Sequence, residues 1–415
     1  MRPINVGLSP NTEPDDVALA VELMKKPGEW LEGGAVAELE SVFKKKFGVK
    51  NAFAFQNGRS ALQAVIESLR LEPGDEVLVQ SFTCVVVPNA IIWGGGKPVY
   101  VDVDNDFNMS GENLVKKITP KSRAIIVQHT FGSPADMDSI IAIAREHKLA
   151  IIEDCAHALG AKYKGQPVGS LGDAAIFSFG RDKVVSSVFG GMAITNHPEL
   201  ADELQSIKHR LKSPDKKWIK MQLRHPILMH KLVLPRYNGL GKIILEISKR
   251  FNLISKAVTM SERATERGQD SLLAMPNALA LLALHQLEKL DKLNQHRRDL
   301  AEIYAKEVKE VKGVQLPPVK HEETDSESIF LRYSIATPKA TELIREGRKR
   351  NILLDDWYNP AIAPAGTDNT AASYNPESCP NAERLSKLVV NLPTNINTTQ
   401  EDALKVVELI KEIHR

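Results

Sequence analysis

The stretch IFSFGRDKVVSSVFGGM, residues 176–192, sets one lysine, Lys183, between an aromatic–serine–aromatic run and a glycine pair. A lysine there is either a solvated loop charge or an amine held in a pocket to attack a carbonyl. Burial strips water from an ammonium and lowers its proton affinity, which makes the amine nucleophilic. Upstream, in IIEDCAHALGA, an apolar run ends in Glu153-Asp154. An acid at the end of a buried strand is costly unless a cation meets it. Asp154 can serve a structural ion pair, a metal, or a protonated pyridine nitrogen, whose ring then draws electrons. In QNGRSAL a glycine turn joins a strand pattern to a helix pattern. Amides at such a helix start can cradle a phosphate, although ordinary strand–helix turns look the same. Arg59 can add a charge-assisted contact there or face water. Ser178 can present a hydroxyl to the phosphate or be a plain strand serine. Phosphate turn, strand-end acid, serine and lysine, in that order, are the parts from which a pyridoxal phosphate (PLP) site would be built.

These residues need elements to hold them. From residue 35 to residue 195, helical periodicity alternates with short apolar runs. AVAELESVFKKKFG predicts a helix with Gly48 as its C-cap, and NAFAFQ a strand. SALQAVIESLRL, VVVPNAIIWGG and MDSIIAIAREHK predict helices. DEVLVQ, KPVYVDVD, RAIIVQHTFG, LAIIEDC and AAIFSF predict strands. The alternation predicts an α/β fold: a largely parallel sheet with helices on both faces. Such sheets bind ligands at the carboxyl ends of their strands. Gln56-Asn57-Gly58, His129, Asp154, Ser178 and Lys183 fall there. From residue 281 helical patterns return, followed by a mixed α/β tail. Its last piece, TTQEDALKVVELIKEIHR, is an N-capped helix. We expect a large domain over 1–285, including a basic insertion at about 206–267, and a small α/β domain over 286–415.

The 415 residues allow a large core and two domains. A net charge of +2, with 43% hydrophobic and 26% charged residues, reads as a globular protein without polyelectrolyte character. Three cysteines, Cys84, Cys155 and Cys379, lack metal-site spacing and exclude a disulfide framework. The N-terminal residues show no apolar signal core. No apolar stretch approaches the roughly 20 residues of a membrane span. We therefore expect a cytoplasmic protein. No nucleic-acid-binding module is recognisable.

EDCAHALGAKYKGQPVGSLGDAAIFSFGRDK resembles the block of the DegT/DnrJ/EryC1/StrS aminotransferases that carries their cofactor acid and lysine. Further blocks follow the family order: GDEVLVQSFTCVVVPNAIIWGGGKPVYVDVD, FGSPADMD, HQLEKLDKLNQHRRDLAEIY and ERLSKLVVNLPTN. The resemblance implies PLP-dependent fold type I, usually dimeric. It implies transfer of an amino group from an amino acid, glutamate by analogy, to a keto sugar linked to a nucleotide. The setting would be cell-surface polysaccharide or amino-sugar synthesis. Carried over, Lys183 would link covalently to PLP and move protons, and Asp154 would pair with the pyridine nitrogen. His157 stands where the family often has a glutamine beside the phenolic oxygen. Gly58, Arg59, Ser60 and Ser178 would hold the phosphate. Cys84 stands where many members stack an aromatic ring on the cofactor. Arg59 replaces the commoner threonine. The family's Asn-x-Arg segment, which reaches the partner's phosphate, falls at 271–275, which reads SLLAM here. Two alternatives are a PLP-dependent sugar dehydratase, whose lysine is commonly replaced by histidine, and a cofactor-free scaffold that kept the fold.

Residues 208–256 hold thirteen Lys or Arg against Asp215 and Glu246 alone. Within them Leu240, Ile243, Ile244, Ile247, Phe251 and Ile254 fall at helical spacing. Lys242, Glu246, Lys249 and Arg250 take the other face. Such a basic amphipathic helix can pack on its own protein or on a dimer partner. It can also meet an anionic membrane surface or a polyanionic substrate.

Overall fold

The computed structural model describes residues 2–251, 253–255, 258–268, 272–317 and 325–415. Seven strands form the central sheet: β1 (Asn51–Phe55), β2 (Glu76–Gln80), β3 (Lys97–Val101), β4 (Ser122–Gln128), β5 (Ala150–Asp154), β6 (Ala174–Ser178) and β7 (Gly191–Thr195). Their order is β1-β7-β6-β5-β4-β2-β3, and only β7 runs against the others. The expected largely parallel α/β sheet is therefore present.

Strand alternation divides the side chains between two cores. Ile151, Ala175 and Phe177 pack on one face, with Leu39 and Phe43 of helix α1 (Ala35–Phe47). Ile152, Ala174 and Ile176 pack on the other, with Leu62 and Val65 of helix α2 (Gly58–Ser68). Helix α1 buries Ala35, Leu39, Phe43 and Phe47, a stripe at every fourth residue, and ends at Gly48 in the left-handed region (φ 63°). Helix α2 starts from Asn57, whose side chain accepts the Ser60 amide hydrogen bond at 2.8 Å.

A third core forms in the C-terminal part. Helix α3 (Leu290–Val308) begins against the first core at Leu290 and continues into the third at Leu300 and Tyr304. There it meets the two-stranded ladder of β8 (Tyr333–Ala336) and β9 (Val389–Leu392) and the last helix, α4 (Gln400–His414). That helix has the expected cap, with Thr399 and Asp402 forming a capping box. The N-terminus joins this part, since Ile4–Asn5 pairs in parallel with Ile352–Leu353. Conversely, Tyr358, Ile362 and Tyr374 return to pack on the sheet core.

The basic insertion has a small core of its own: Met229, Val233, Leu234, Leu245 and Ile254. Its amphipathic helix runs over Lys242–Arg250, shorter than the apolar pattern of 240–254. The face turned inward carries Gly241, Leu245 and Ser248, while Leu240, Ile243, Ile247 and Phe251 stand exposed. Gly239 breaks the helical path before it, and Ile254 is buried beyond its end. No helix among the described residues is long and apolar enough to cross a membrane.

Candidate active site

A pocket of about 920 Å³ opens at the carboxyl ends of β5 and β6 and at the start of α2. Alternation on β6 explains how Ser178 reaches it. Phe177 and Phe179 point to the opposite face, where their rings lie 5.3 Å and 5.6 Å from Phe43. Alternation on β5 separates two neighbouring acids in the same way. Asp154 lines the pocket. Glu153 turns away, and its oxygens accept the amide hydrogens of Gly169, Leu171 and Gly172 at 2.6–2.7 Å. Its Oε2 also lies 3.1 Å from His129 Nε2. His129 and Glu153 thus serve as an internal brace for the loop after β5. The backbone fits closely here. A Cβ on Gly58 would lie 2.7 Å from Ser178 Cβ, and one on Gly191 would lie 2.5 Å from the Asn57 carbonyl carbon. That contact explains the glycine after Lys183: β7 must pass against the turn that opens α2.

Lys183 is in the pocket. Its Nζ lies 2.9 Å from His157 Nε2 and 5.2 Å from the Trp357 ring centre. Burial pulls the amine below its usual proton affinity, and Asp182, Cys84 and Asp154 offset this only in part. His157 is fully buried, and burial, with Lys183 and Arg332 nearby, holds it well below its usual range. The Phe131 amide donates to His157 Nδ1 at 3.4 Å. The proton of the neutral ring therefore sits on Nε2, facing Lys183, an arrangement that suits an amine offering its lone pair. Burial pushes the Asp154 carboxyl up, and the Ala156 amide, Lys183 and His129 only partly counter it. The acid is short of a cation, and a pyridinium nitrogen would supply one.

Gly58, Arg59, Cys84, Asp154, His157, Ser178 and Lys183 all line this one pocket. Ser60 does not. Its amide and hydroxyl both donate to Asn57 Oδ1, at 2.8 Å and 3.1 Å, so it anchors the Asn57 cap of the helix. Of the SLLAM segment, Ser271 lies outside the described residues. Leu273 accepts the Gln56 amide hydrogen bond at 3.0 Å, and Ala274 bridges to Phe55, so this segment edges β1.

Four polar or aromatic residues lining the pocket are not marked in the sequence, Arg181, Asp182, Trp357 and Tyr358, nor is Arg332, which contacts two of them. Arg181 adds a second guanidinium beside Arg59. Its Nε is buried without a hydrogen-bond partner, and burial lowers its pKa to about 10, with Arg59 adding to the fall. Arg59 pairs with Glu262, and Arg181 donates to Ser255 Oγ. Both partners belong to the insertion. Two arginines at a helix N-terminus make an anion site, so the residues present fit the phosphate of PLP. Arg332 is buried, donates to Asp182 at 2.9 Å and Asp355 at 2.8 Å, and stacks 4.7 Å above Trp357. Tyr358 sets its hydroxyl 3.4 Å from His157 Nε2.

The family model of the DegT/DnrJ/EryC1/StrS aminotransferases matches residues 11–232 and 246–411. The chain belongs to this family. Among its relatives, GDP-perosamine synthase of Caulobacter vibrioides is 39% identical over 45% of the chain and 50% of its own length. UDP-N-acetyl-3-dehydro-alpha-D-glucosamine 3-aminotransferase of Acidithiobacillus ferrooxidans is 36% identical over 47% and 53%. The chain thus spans about half the length of these two curated relatives. An uncharacterized protein of Methanocaldococcus jannaschii is 28% identical over 93% of the chain and 92% of its own. Among solved structures, DesV of S. venezuelae superposes with a TM-score of 0.73 at 26% identity, covering 97% of this chain and 94% of its own. PseC of Helicobacter pylori, at 20% identity, shares the fold with a TM-score of 0.77 over 100% and 99%. For this family member, the blocks quoted above and the pocket agree in placing Lys183 and Asp154 together.

Proposed function

We propose that the protein is a PLP-dependent aminotransferase that moves an amino group from glutamate to a keto sugar carried on a nucleotide, working as a homodimer. The observation that carries this reading is the meeting of Lys183, His157 and Asp154 in one pocket that Arg59 and Arg181 also line. The relatives named for perosamine and for a 3-amino sugar support the substrate class. Glutamate and the dimer follow from the family resemblance.

PLP, when bound, supplies an electron sink next to the donor nitrogen. Gly58 and its helix amides, with Arg59 and Arg181, would hold the phosphate, and Ser178 would offer it a hydroxyl. Asp154 would pair with the ring nitrogen and keep it protonated. Lys183 Nζ would anchor the cofactor and, as a free amine, would serve as the base that takes up and returns a proton in this pocket. His157 Nε2 orients that amine between the two roles. Trp357 and Tyr358 roof the site and exclude water. The lysine at 183 separates this reading from the dehydratase, and Asp154 in the same pocket separates it from an empty scaffold.

The test is incubation of PLP-loaded protein with L-glutamate and a panel of GDP- and UDP-linked keto sugars. The reading expects 2-oxoglutarate and an amino-sugar nucleotide by mass spectrometry. A dehydrated sugar without 2-oxoglutarate would contradict it.

A further inference from the structure

Among the described residues nine large apolar side chains stand exposed, and six of them fall in one segment of 22 residues: Leu232, Leu240, Ile243, Ile247, Phe251 and Leu253. Phe251 is 68% exposed and Leu240 63%. Scattered apolar side chains on a surface need no account, but a contiguous group does. Leu240, Ile243, Ile247 and Phe251 repeat at helical spacing, so they form one stripe along the Lys242–Arg250 helix. The helix's other side is already satisfied, since Leu245 packs on Met229, Val233 and Leu234. The outward stripe is therefore not a core face left bare by the fold.

We propose that this helix and the turn before it lie on an anionic lipid surface. Charge complementarity selects that occupant. Lys231, Arg236, Lys242, Lys249 and Arg250 are exposed in the same segment, and Glu246 is the one acid between residues 229 and 255. Glu246 is itself paired with Lys249 at 2.7 Å. A two-fold contact with a second copy through this patch would set its cations against one another. The nine-residue helix is about 14 Å long and cannot cross a bilayer, so it lies in the interface with its apolar stripe among the acyl chains. The family model leaves out residues 233–245, so most of the turn feeding the stripe lies outside the sequence shared with the family.

The experiment is flotation of the full chain with vesicles of phosphatidylcholine alone or with about a third phosphatidylglycerol, at ~25 mM and ~500 mM salt, which brackets the Debye length of about 10 Å at 0.1 M. Binding is expected on anionic vesicles at low salt and release at high salt. The triple variant Lys242→Glu, Lys249→Glu, Arg250→Glu and the double variant Ile247→Asp, Phe251→Asp should each lower partitioning at least ~tenfold. Both should keep the wild-type circular dichroism, since every altered side chain is solvent-facing. No flotation on anionic vesicles at low salt overturns the proposal, as does flotation indifferent to lipid charge and salt. A change of oligomeric state on Ile247→Asp, Phe251→Asp without any flotation of wild type overturns it in favour of a second copy. The readout is binding, so the result stands apart from whether the pocket transfers an amine.

Discussion

Burial and Arg332 pull the Lys183 amine down in proton affinity, while Asp182, Cys84 and Asp154 pull it up. A carboxylate beside an ammonium favours the charged form, so Asp182→Asn should lower the Lys183 pKa further. It also leaves Arg332 with one acid fewer, which acts in the same direction. The amine must be free to bond the cofactor's aldehyde, so the rate of PLP attachment should rise with pH through this pKa and then level off. The wild-type midpoint should lie below the ~10.4 of an ordinary lysine, and that of Asp182→Asn lower still. Stopped-flow growth of the visible band against pH reads both midpoints, and an upward or absent shift would refute the electrostatic account. At the start of α2, Arg59→Ala removes one of the two guanidiniums that line the pocket. A charge-assisted contact of about 1.5–3 kcal/mol predicts roughly ten- to a hundredfold weaker PLP binding. Fluorescence titration would show it, and an unchanged dissociation constant would return Arg59 to a pairing role with Glu262 alone. Lys183, Asp154 and Gly58 are legible in the sequence as pocket residues because each sits in a short local motif. Arg332 is not, because its partner Asp182 lies 150 residues away, nor is Arg181, because nothing local distinguishes it from a loop cation.

The elements convert alternation into division of labour. On β5, Glu153 and Asp154 are neighbours in sequence and differ in role because the pleat sends them to opposite faces. Asp154→Asn should leave unfolding unchanged and reduce turnover at least ~100-fold, the scale of losing one preorganised electrostatic partner. Glu153→Gln should do the reverse. It weakens the bonds that the Glu153 side chain accepts from the Gly169, Leu171 and Gly172 amides and its contact with His129, a bond to a charged group being worth about 1.5–3 kcal/mol. Denaturant unfolding and steady-state rates on the two variants form a crossed test, and equal behaviour would contradict it. The strand and helix assignments were legible because apolar periodicity is a local property. The insertion helix was legible as amphipathic, but the pattern does not say which apolar residues turn inward. Leu245, outside the apolar pattern, took the core position, and Ile243, Ile247 and Phe251 of that pattern faced out. Packing on Met229 and Val233 decides that, and it is a tertiary fact.

At the scale of the whole molecule, the insertion and the C-terminal part both close the pocket. Glu262, held in a capping box with Thr259, pairs with Arg59, and its carbonyl accepts from Asn89 at 2.7 Å. Trp93 donates to the Thr265 carbonyl at 2.8 Å, fixing the same segment. From the other side Trp357 and Tyr358 arrive on the segment that leaves the third core. Buried Arg297 donates to the Val184 carbonyl at 2.7 Å and to Asn11 at 3.0 Å, bracing the backbone just after Lys183. A pocket assembled from such distant parts has one centre, the Lys183 amine. The most direct measurement is therefore borohydride reduction of PLP-loaded protein followed by peptide mapping. The expected result is a visible band near ~420 nm, as for an amine-bound PLP, and a single labelled lysine, Lys183. No such band is expected in Lys183→Ala. Label on any other lysine, or a band that survives in Lys183→Ala, would contradict it.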